Sequence, residues 1–269
     1  PNVVVLRTTS LVITQTPTVV LGLFAGPAAV GLYAFGFRLI ELLTTLVVFP
    51  LRTVAQPTFA ELRRQTGRAA DFFLDVTQMA ALLGFTAFAG LAVISEPAVI
   101  LVMGAEWSGA AAIMPYLCIL GASNALVWIQ ESYVLAIDKL PKFLVAAAIE
   151  LGIGLVLVGF AGPHGLAFVV FAVAARAVIA TPIRTLACVS HENIPLLQYA
   201  SKLLRPLGIA SGMSVAVLTW SFAVEGKLSA LYLVTTSILV GCLIFLVLLV
   251  LAMPDTVSRL RAFLPRKNV

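Results

Sequence analysis

The sequence predicts an all-α fold, a polytopic transmembrane helical bundle of about eight spans. Of the 269 residues, 61% are hydrophobic and only 11% are charged, and the mean hydropathy is +1.08. A soluble domain has roughly half apolar and about a quarter charged residues, so this composition excludes a water-soluble fold. The apolar runs reach the length of about 20 residues that a membrane-spanning helix needs, and they lack the alternation of barrel strands.

Eight apolar runs define the predicted spans. The first contains Pro17, which predicts a kink, and Gln15, which predicts a polar face along a cavity. The second ends in the basic loop ELRRQTGRAAD, and the segment SEPAVILVMGAEWSGA after the third is predicted to lie at the membrane interface around Trp107. The eighth contains no charged residue. In order, the predicted spans are 11–25, 30–54, 72–94, 110–137, 143–160, 166–190, 207–224 and 228–253.

These runs predict four parts of the chain. Residues 1–190 form a six-helix transmembrane bundle, and the polar stretch at 191–206 is a cytoplasmic connector. Residues 207–253 add two further transmembrane helices, and 254–269 form a basic cytoplasmic tail. The chain starts at Pro1 without features of a signal peptide, so we expect it to begin inside a longer protein.

The distribution of basic residues predicts the orientation of the spans. The loops on one side contain only Lys227, whereas the alternate loops contain many lysines and arginines. Basic loops are retained on the cytoplasmic side, so we expect an even number of spans and both termini in the cytoplasm. The residues on the basic side are Arg63, Arg64, Arg68, Lys139, Lys142, Arg184, Lys202, Arg205, Arg259, Arg261, Arg266 and Lys267.

Two arginines are predicted to lie near the membrane midplane, where a charge costs about 2.5 to 3.5 kcal/mol. At 1.5 Å per residue, Arg38 lies roughly 12 Å and Arg176 roughly 15 Å inside the bilayer. One interpretation is that both face a cavity and bind an anionic, phosphate-like group. The alternative is structural, with Arg38 paired to Glu41 and Arg176 paired to Glu150 or Glu131.

The acidic and polar residues of the spans leave similar alternatives open. Glu41, Glu131 and Glu150 either bind a coupling cation or proton, or form structural ion pairs. The polar side chains Gln15, Asn124 and Gln130 are candidates for a cavity lining, whereas Arg52 and Arg184 are expected to extend to the interface.

Little in the sequence favours an enzyme or a cofactor protein. Cys118, Cys188 and Cys242 all lie in apolar runs without metal-ligand spacing, and His164 and His191 have no partner at ligand spacing. The sequence contains no phosphate-binding loop of the form G-x-x-x-x-G-K-[ST]. We therefore expect neither a metal, a cofactor nor a nucleic-acid partner.

Four stretches of the sequence resemble the second half of bacterial polysaccharide flippases, the O-antigen and lipid-linked oligosaccharide exporters of the multidrug/oligosaccharidyl-lipid/polysaccharide superfamily. The stretches are GPAAVGLYAFGFRL, FPLRTVAQPTFAELRRQTGRAADFF, VMGAEWSGAAAIMPYLCILGASNAL and AIDKLPKF. The motif positions within them are Gly26, Gly31 and Tyr33, then Pro57, Phe59 and Leu62, then Gly104 and Trp107.

The resemblance implies the second bundle of a two-bundle exporter with two extra helices, which would require the missing N-terminal half of the same protein. It also implies transport of undecaprenyl-diphosphate-linked oligosaccharide across the bacterial inner membrane by alternating access. A drug/cation antiporter and a peptidoglycan-precursor flippase of the same superfamily are alternatives. A membrane transferase acting on lipid-linked sugars is an alternative of another class.

Overall fold

The computed structural model describes residues 2–65, 69–190, 194–224 and 229–254. Within these ranges the regular structure is helical and contains no strand, which confirms the all-α prediction. Short 3₁₀ turns lie at Ala105–Trp107 and Gly162–His164. The α-helices are α1 Asn2–Phe24, α2 Gly26–Val47, α3 Phe49–Gln65, α4 Ala69–Met103, α5 Ser108–Ala136, α6 Leu140–Ala161, α7 Leu166–Val189, α8 Leu196–Val224 and α9 Ala230–Ala252.

Eight of these helices are long and apolar enough to cross a membrane, and α3 is the exception among the described residues. The predicted number of spans is therefore confirmed, and the chain is a multi-pass membrane protein. We call the end where α5 finishes and α6 begins the basic end, because Lys139 and Lys142 lie there.

Helix α3 corrects the prediction that the second span reaches residue 54 and is followed by a loop. Helix α2 ends at Val47, and α3 begins at Phe49 with Pro50 in its first turn, a position that proline tolerates well. Phe59 on α3 is fully buried, and its ring contacts that of Tyr133 with centroids 5.3 Å apart. This packing keeps the basic segment helical beyond the span.

Helix α4 corrects the prediction that the third span ends at residue 94, whereas the interfacial position around Trp107 stays a prediction. The helix continues through Pro97 to Met103, over 35 residues, and Val99 in this extension is buried. Its length of about 52 Å exceeds the hydrocarbon thickness of about 30 Å. Gly104, with φ +96°, ends the helix, and Trp107 in the following turn packs on Phe35 with ring centroids 4.7 Å apart.

Helix α8 begins earlier than the predicted seventh span, because residues 196–206, expected in the connector, form its first turns. Tyr199 in these turns is 3% exposed and stacks near Phe73, and Lys202 Nζ lies 2.7 Å from Asp75 Oδ1. Residues 191–193 and the predicted tail from 255 lie outside the described residues.

The core contains two main groups of buried side chains, one at each end of the bundle. An aromatic group lies at the basic end, with Phe73 and Tyr133 stacked at 4.3 Å between ring centroids. The second group joins α2, α4, α5 and α7 and includes Phe88 and Leu117. Helices α4 and α5 approach closely at Gly121, where an added Cβ would lie 2.3 Å from the Phe88 ring. Small residues allow such close packing of membrane helices.

Candidate functional site

A cavity of about 210 Å³ lies among α1, α2, α3, α5, α6 and α7. We call it the charged cavity, because four arginines and three glutamates line it. These residues lie on helices that are far apart in sequence, so the bundle brings the charges together. The charged lining residues are Arg7, Arg52, Arg176, Arg184, Glu41, Glu131 and Glu150, and polar ones include Ser10, Thr14, Tyr33, Ser123, Asn124 and Thr181.

Glu131 contacts two arginines toward the basic end of this cavity. Arg7 Nη1 and Arg52 Nη2 each lie 3.4 Å from the same oxygen, Glu131 Oε1. The Arg7 side chain is 56% exposed, whereas those of Arg52 and Glu131 are 14% and 9% exposed. Charge-assisted hydrogen bonds are normally about 2.7 to 2.9 Å long, so these two guanidiniums are only loosely held by the carboxylate.

Arg52 also lies over the ring of Trp128, with its Cζ 5.5 Å from the ring centroid. A guanidinium on an aromatic face is stabilised by the ring's negative potential. One carboxylate cannot neutralise two guanidiniums, so the group around Glu131 has an excess positive charge.

Glu150 forms a second, more deeply buried group with Arg176 and Arg184. Arg184 Nε donates to Glu150 Oε2 at 2.5 Å, and Arg176 Nε lies 3.8 Å from Glu150 Oε1. Both arginine side chains are 5% exposed, and the glutamate is 12% exposed. Arg184 also lies over the Phe143 ring, 5.1 Å from its centroid. The expectation that Arg52 and Arg184 extend to the interface is wrong, because both pair with buried glutamates.

Arg38 and Arg176, the two predicted substrate contacts, lie in different surroundings. Arg38 Nη1 donates to Glu41 Oε2 at 2.9 Å, and its side chain is 82% exposed. Arg38 is absent from the lining of the charged cavity, whereas Glu41 and Arg176 are part of it. The structure therefore does not bring the two arginines together.

The three polar residues that were predicted to line a cavity also lie in different surroundings. Asn124 lines the charged cavity, and Gln15 lies exposed on another face of α1. Gln130 is fully buried outside the lining, where its Nε2 donates to Thr185 Oγ1 at 2.8 Å and to Tyr199 Oη at 2.9 Å. Gln130 therefore connects α5 with α7 and α8.

Arg7 was not predicted as a site residue, although its spacing from the polar residues that follow it is typical of one helix face. Arg7, Ser10 and Thr14 follow one another by three and four residues, which places them on one face of α1. All three line the charged cavity. The same spacing rule places Arg176 and Arg184, eight residues apart, along one side of α7.

An apolar groove of about 420 Å³ lies on the other side of α2, between α2, α4, α8 and α9. Several of its α2 side chains, including Leu42 and Leu46, are exposed in this chain. By helical periodicity, Arg38 lies on the exposed strip of α2 between this groove and the charged cavity. The apolar groove is lined by Leu39, Leu42, Leu43, Leu46, Thr86, Ala87, Gly90, Leu91, Ile94, Met213, Val217, Ser237, Ile238, Gly241 and Cys242.

The part of the chain that the structure describes contains no group of three or more His, Cys, Asp or Glu residues that could hold a metal ion. Cys118 and Cys188 are buried free thiols, and Cys242 is an exposed one in the apolar groove.

Residues 2–112 match the model of a family described as "Polysaccharide biosynthesis protein". The chain is also 27% identical over 245 residues to the teichuronic acid biosynthesis protein TuaB of Bacillus subtilis (strain 168). The resemblance predicted from the sequence is confirmed. That alignment covers 90% of this chain and 50% of TuaB, so the chain spans about half the length of this curated relative.

The fold is similar to that of the lipid II flippase MurJ in an inward closed conformation. The TM-score is 0.74 at 14% sequence identity, over 95% of this chain and 53% of MurJ. At this identity the likeness concerns the fold.

Proposed function

We propose that this chain is part of a flippase that moves undecaprenyl-diphosphate-linked oligosaccharide across the bacterial inner membrane by alternating access, for polysaccharide biosynthesis. The observation behind the proposal is the placement of a charged cavity and an apolar groove on either side of one helix, α2. The sequence likeness to polysaccharide biosynthesis proteins supports the same substrate class.

The two surfaces match the two chemical parts of such a substrate. A diphosphate needs hydrogen-bond donors of positive charge, and the loosely held guanidiniums of Arg7 and Arg52 offer them. A polyprenyl tail needs an accessible apolar surface, and the apolar groove with its exposed leucines offers one. Arg38, between the two, is then positioned to contact the phosphates that join the head to the tail.

The proposal also includes the orientation of the chain in the membrane and the role of the glutamates. The basic end faces the cytoplasm, with both termini of this chain on that side, because lysines and arginines are retained there. Glu131 and Glu150 each pair with two arginines, which favours structural ion pairs over a coupling cation. Glu41, half exposed, holds Arg38 in position.

The test is export by the full-length protein with Arg38→Ala. We expect polysaccharide export to fall at least about tenfold, which corresponds to about 1.4 kcal/mol, while the amount of protein in the membrane is unchanged. Arg64→Ala is the matched control, because Arg64 forms an exposed i,i+3 pair with Glu61 on α3, away from both surfaces. Normal export by the Arg38→Ala protein would exclude Arg38 as a substrate contact.

A peptidoglycan-precursor flippase is the second candidate, because the fold is similar to that of a lipid II flippase. Complementation distinguishes the two. A flippase for polysaccharide restores export in a strain that lacks its own polysaccharide flippase, and it leaves a strain without its lipid II flippase inviable. A drug/cation antiporter is disfavoured, since arginines outnumber glutamates in the charged cavity.

A further inference from the structure

Pro17 removes one backbone hydrogen bond from the middle of α1. Proline has no amide hydrogen, so the carbonyl four residues earlier loses its partner within the helix. That carbonyl belongs to Ile13, a residue that is 6% exposed. In a membrane-spanning helix such a carbonyl needs another donor, which neighbouring helices, side chains or ordered water can supply.

Arg176 is that donor. Its Nη1 donates to the Ile13 carbonyl oxygen at 3.2 Å, across 163 positions of sequence. Its Nε lies 3.8 Å from Glu150 Oε1. One guanidinium on α7 therefore connects α1, at the turn that Pro17 weakens, with α6.

Helix α6 leaves room for this arginine at Gly154. A Cβ added at Gly154 would lie 2.8 Å from Arg176 Cδ, which is closer than carbon atoms pack. Two positions earlier, a Cβ on Gly152 would meet nothing within 4 Å. The path of the Arg176 side chain to Ile13 therefore depends on the missing side chain at Gly154.

We propose that Arg176 is a positioning residue that replaces the amide donor lost at Pro17 and so fixes α1 against α6 and α7. The same guanidinium does not bind substrate, because its side chain is 5% exposed and is occupied by Ile13 and Glu150. This inference goes beyond the proposed function, since it concerns how α1 holds Arg7, Ser10 and Thr14 in the cavity wall, whatever the cavity binds.

A double-mutant cycle in the full-length protein tests the proposal. Arg176→Met keeps the length of the side chain and removes its donors. We expect it to lower the Tm by about 5 °C and to reduce export. Pro17→Ala restores an amide donor for Ile13, so in that background the loss of Tm caused by Arg176→Met should be halved or less, and export should recover.

Arg184→Met is the control for charge, because Arg184 pairs with the same Glu150 and lies over the Phe143 ring, whereas the bond to the Ile13 carbonyl comes from Arg176. Arg184→Met should change the Tm and the export by the same amounts whether position 17 is proline or alanine. The proposal is overturned if the Arg176→Met losses are also equal in the two backgrounds. It is equally overturned if Arg176→Met abolishes export in both backgrounds with an unchanged Tm, as a substrate contact would.

A milder variant keeps the test valid if Arg176→Met does not fold. Gly154→Ala displaces the arginine without removing its charge, and Gly152→Ala is its matched control on the same helix. We expect Gly154→Ala to lower the Tm, Gly152→Ala to leave it unchanged, and Pro17→Ala to suppress the effect of Gly154→Ala. A Gly154→Ala effect that is independent of position 17 would contradict the proposal.

Discussion

Glu131 determines the charge balance at the basic end of the cavity. It is 9% exposed and faces Arg7 and Arg52 with one oxygen. Removing one partner of a buried ion pair costs more than the pair contributes, because the remaining charge keeps its desolvation penalty. If Glu131 lost its charge, Arg52, at 14% exposure, would remain desolvated without a charged partner, whereas the more exposed Arg7 would be solvated by water.

Glu131→Gln should therefore lower the free energy of unfolding by about 3 kcal/mol, which thermal unfolding of the full-length protein in detergent would measure as a lower Tm. The matched control is Glu61→Gln, which breaks the exposed pair with Arg64 and should cost less than about 1 kcal/mol. Equal shifts for the two variants would mean that Arg52 is solvated in the folded protein.

The residue types of this site could be predicted from the sequence, but their partners could not. Depth in the membrane follows from position along a span, so Arg38 and Arg176 were both predicted near the midplane, without a prediction of how exposed each side chain is. Their side chains are in fact 82% and 5% exposed, because exposure depends on the direction in which a residue points around the helix axis. That direction is set by which helices pack together, and a single sequence does not specify it.

At the scale of the helices, apolar runs predicted the spans well and the helix ends poorly. Helices α4 and α8 extend beyond their apolar runs, since Pro97 and Pro206 interrupt neither helix and buried Val99 and Tyr199 hold the extensions. Hydropathy reports the part of a helix inside lipid. The turns that continue it are stabilised by packing on neighbouring helices.

The contact of α4 with α5 gives a prediction about this packing. Gly121→Ala should lower the free energy of unfolding by about 2 kcal/mol, since the new methyl group would overlap the Phe88 ring, which is 1% exposed and would have to shift. Gly159→Ala on α6 is the control, because nothing lies within 4 Å of its added Cβ. A Tm for Gly121→Ala equal to that of the control would show that α4 and α5 separate easily.

For the whole molecule, the number of spans was predictable because lipid imposes a length and a composition on every spanning helix. The apolar groove was not predictable, since it depends on α8 and α9 packing beside α4 and leaving a gap toward α2. Trp220 Nε1 donates to Thr236 Oγ1 at 3.2 Å, and Ser221 and Ser237 are hydrogen-bonded, so α8 and α9 pack as a pair. This pair forms one wall of the groove.

Cys242 offers a way to fill that groove without straining the bundle, because it is exposed on α9 and lines the groove. If the groove holds the polyprenyl tail, Cys242→Trp should occupy the space and reduce polysaccharide export by the full-length protein about tenfold, or about 1.4 kcal/mol. The neighbouring Leu243 is 63% exposed but does not line the groove, so Leu243→Trp adds the same bulk on another face and should leave export near normal. Equal export by the two tryptophan variants, at equal protein levels in the membrane, would exclude the groove as the site of the tail.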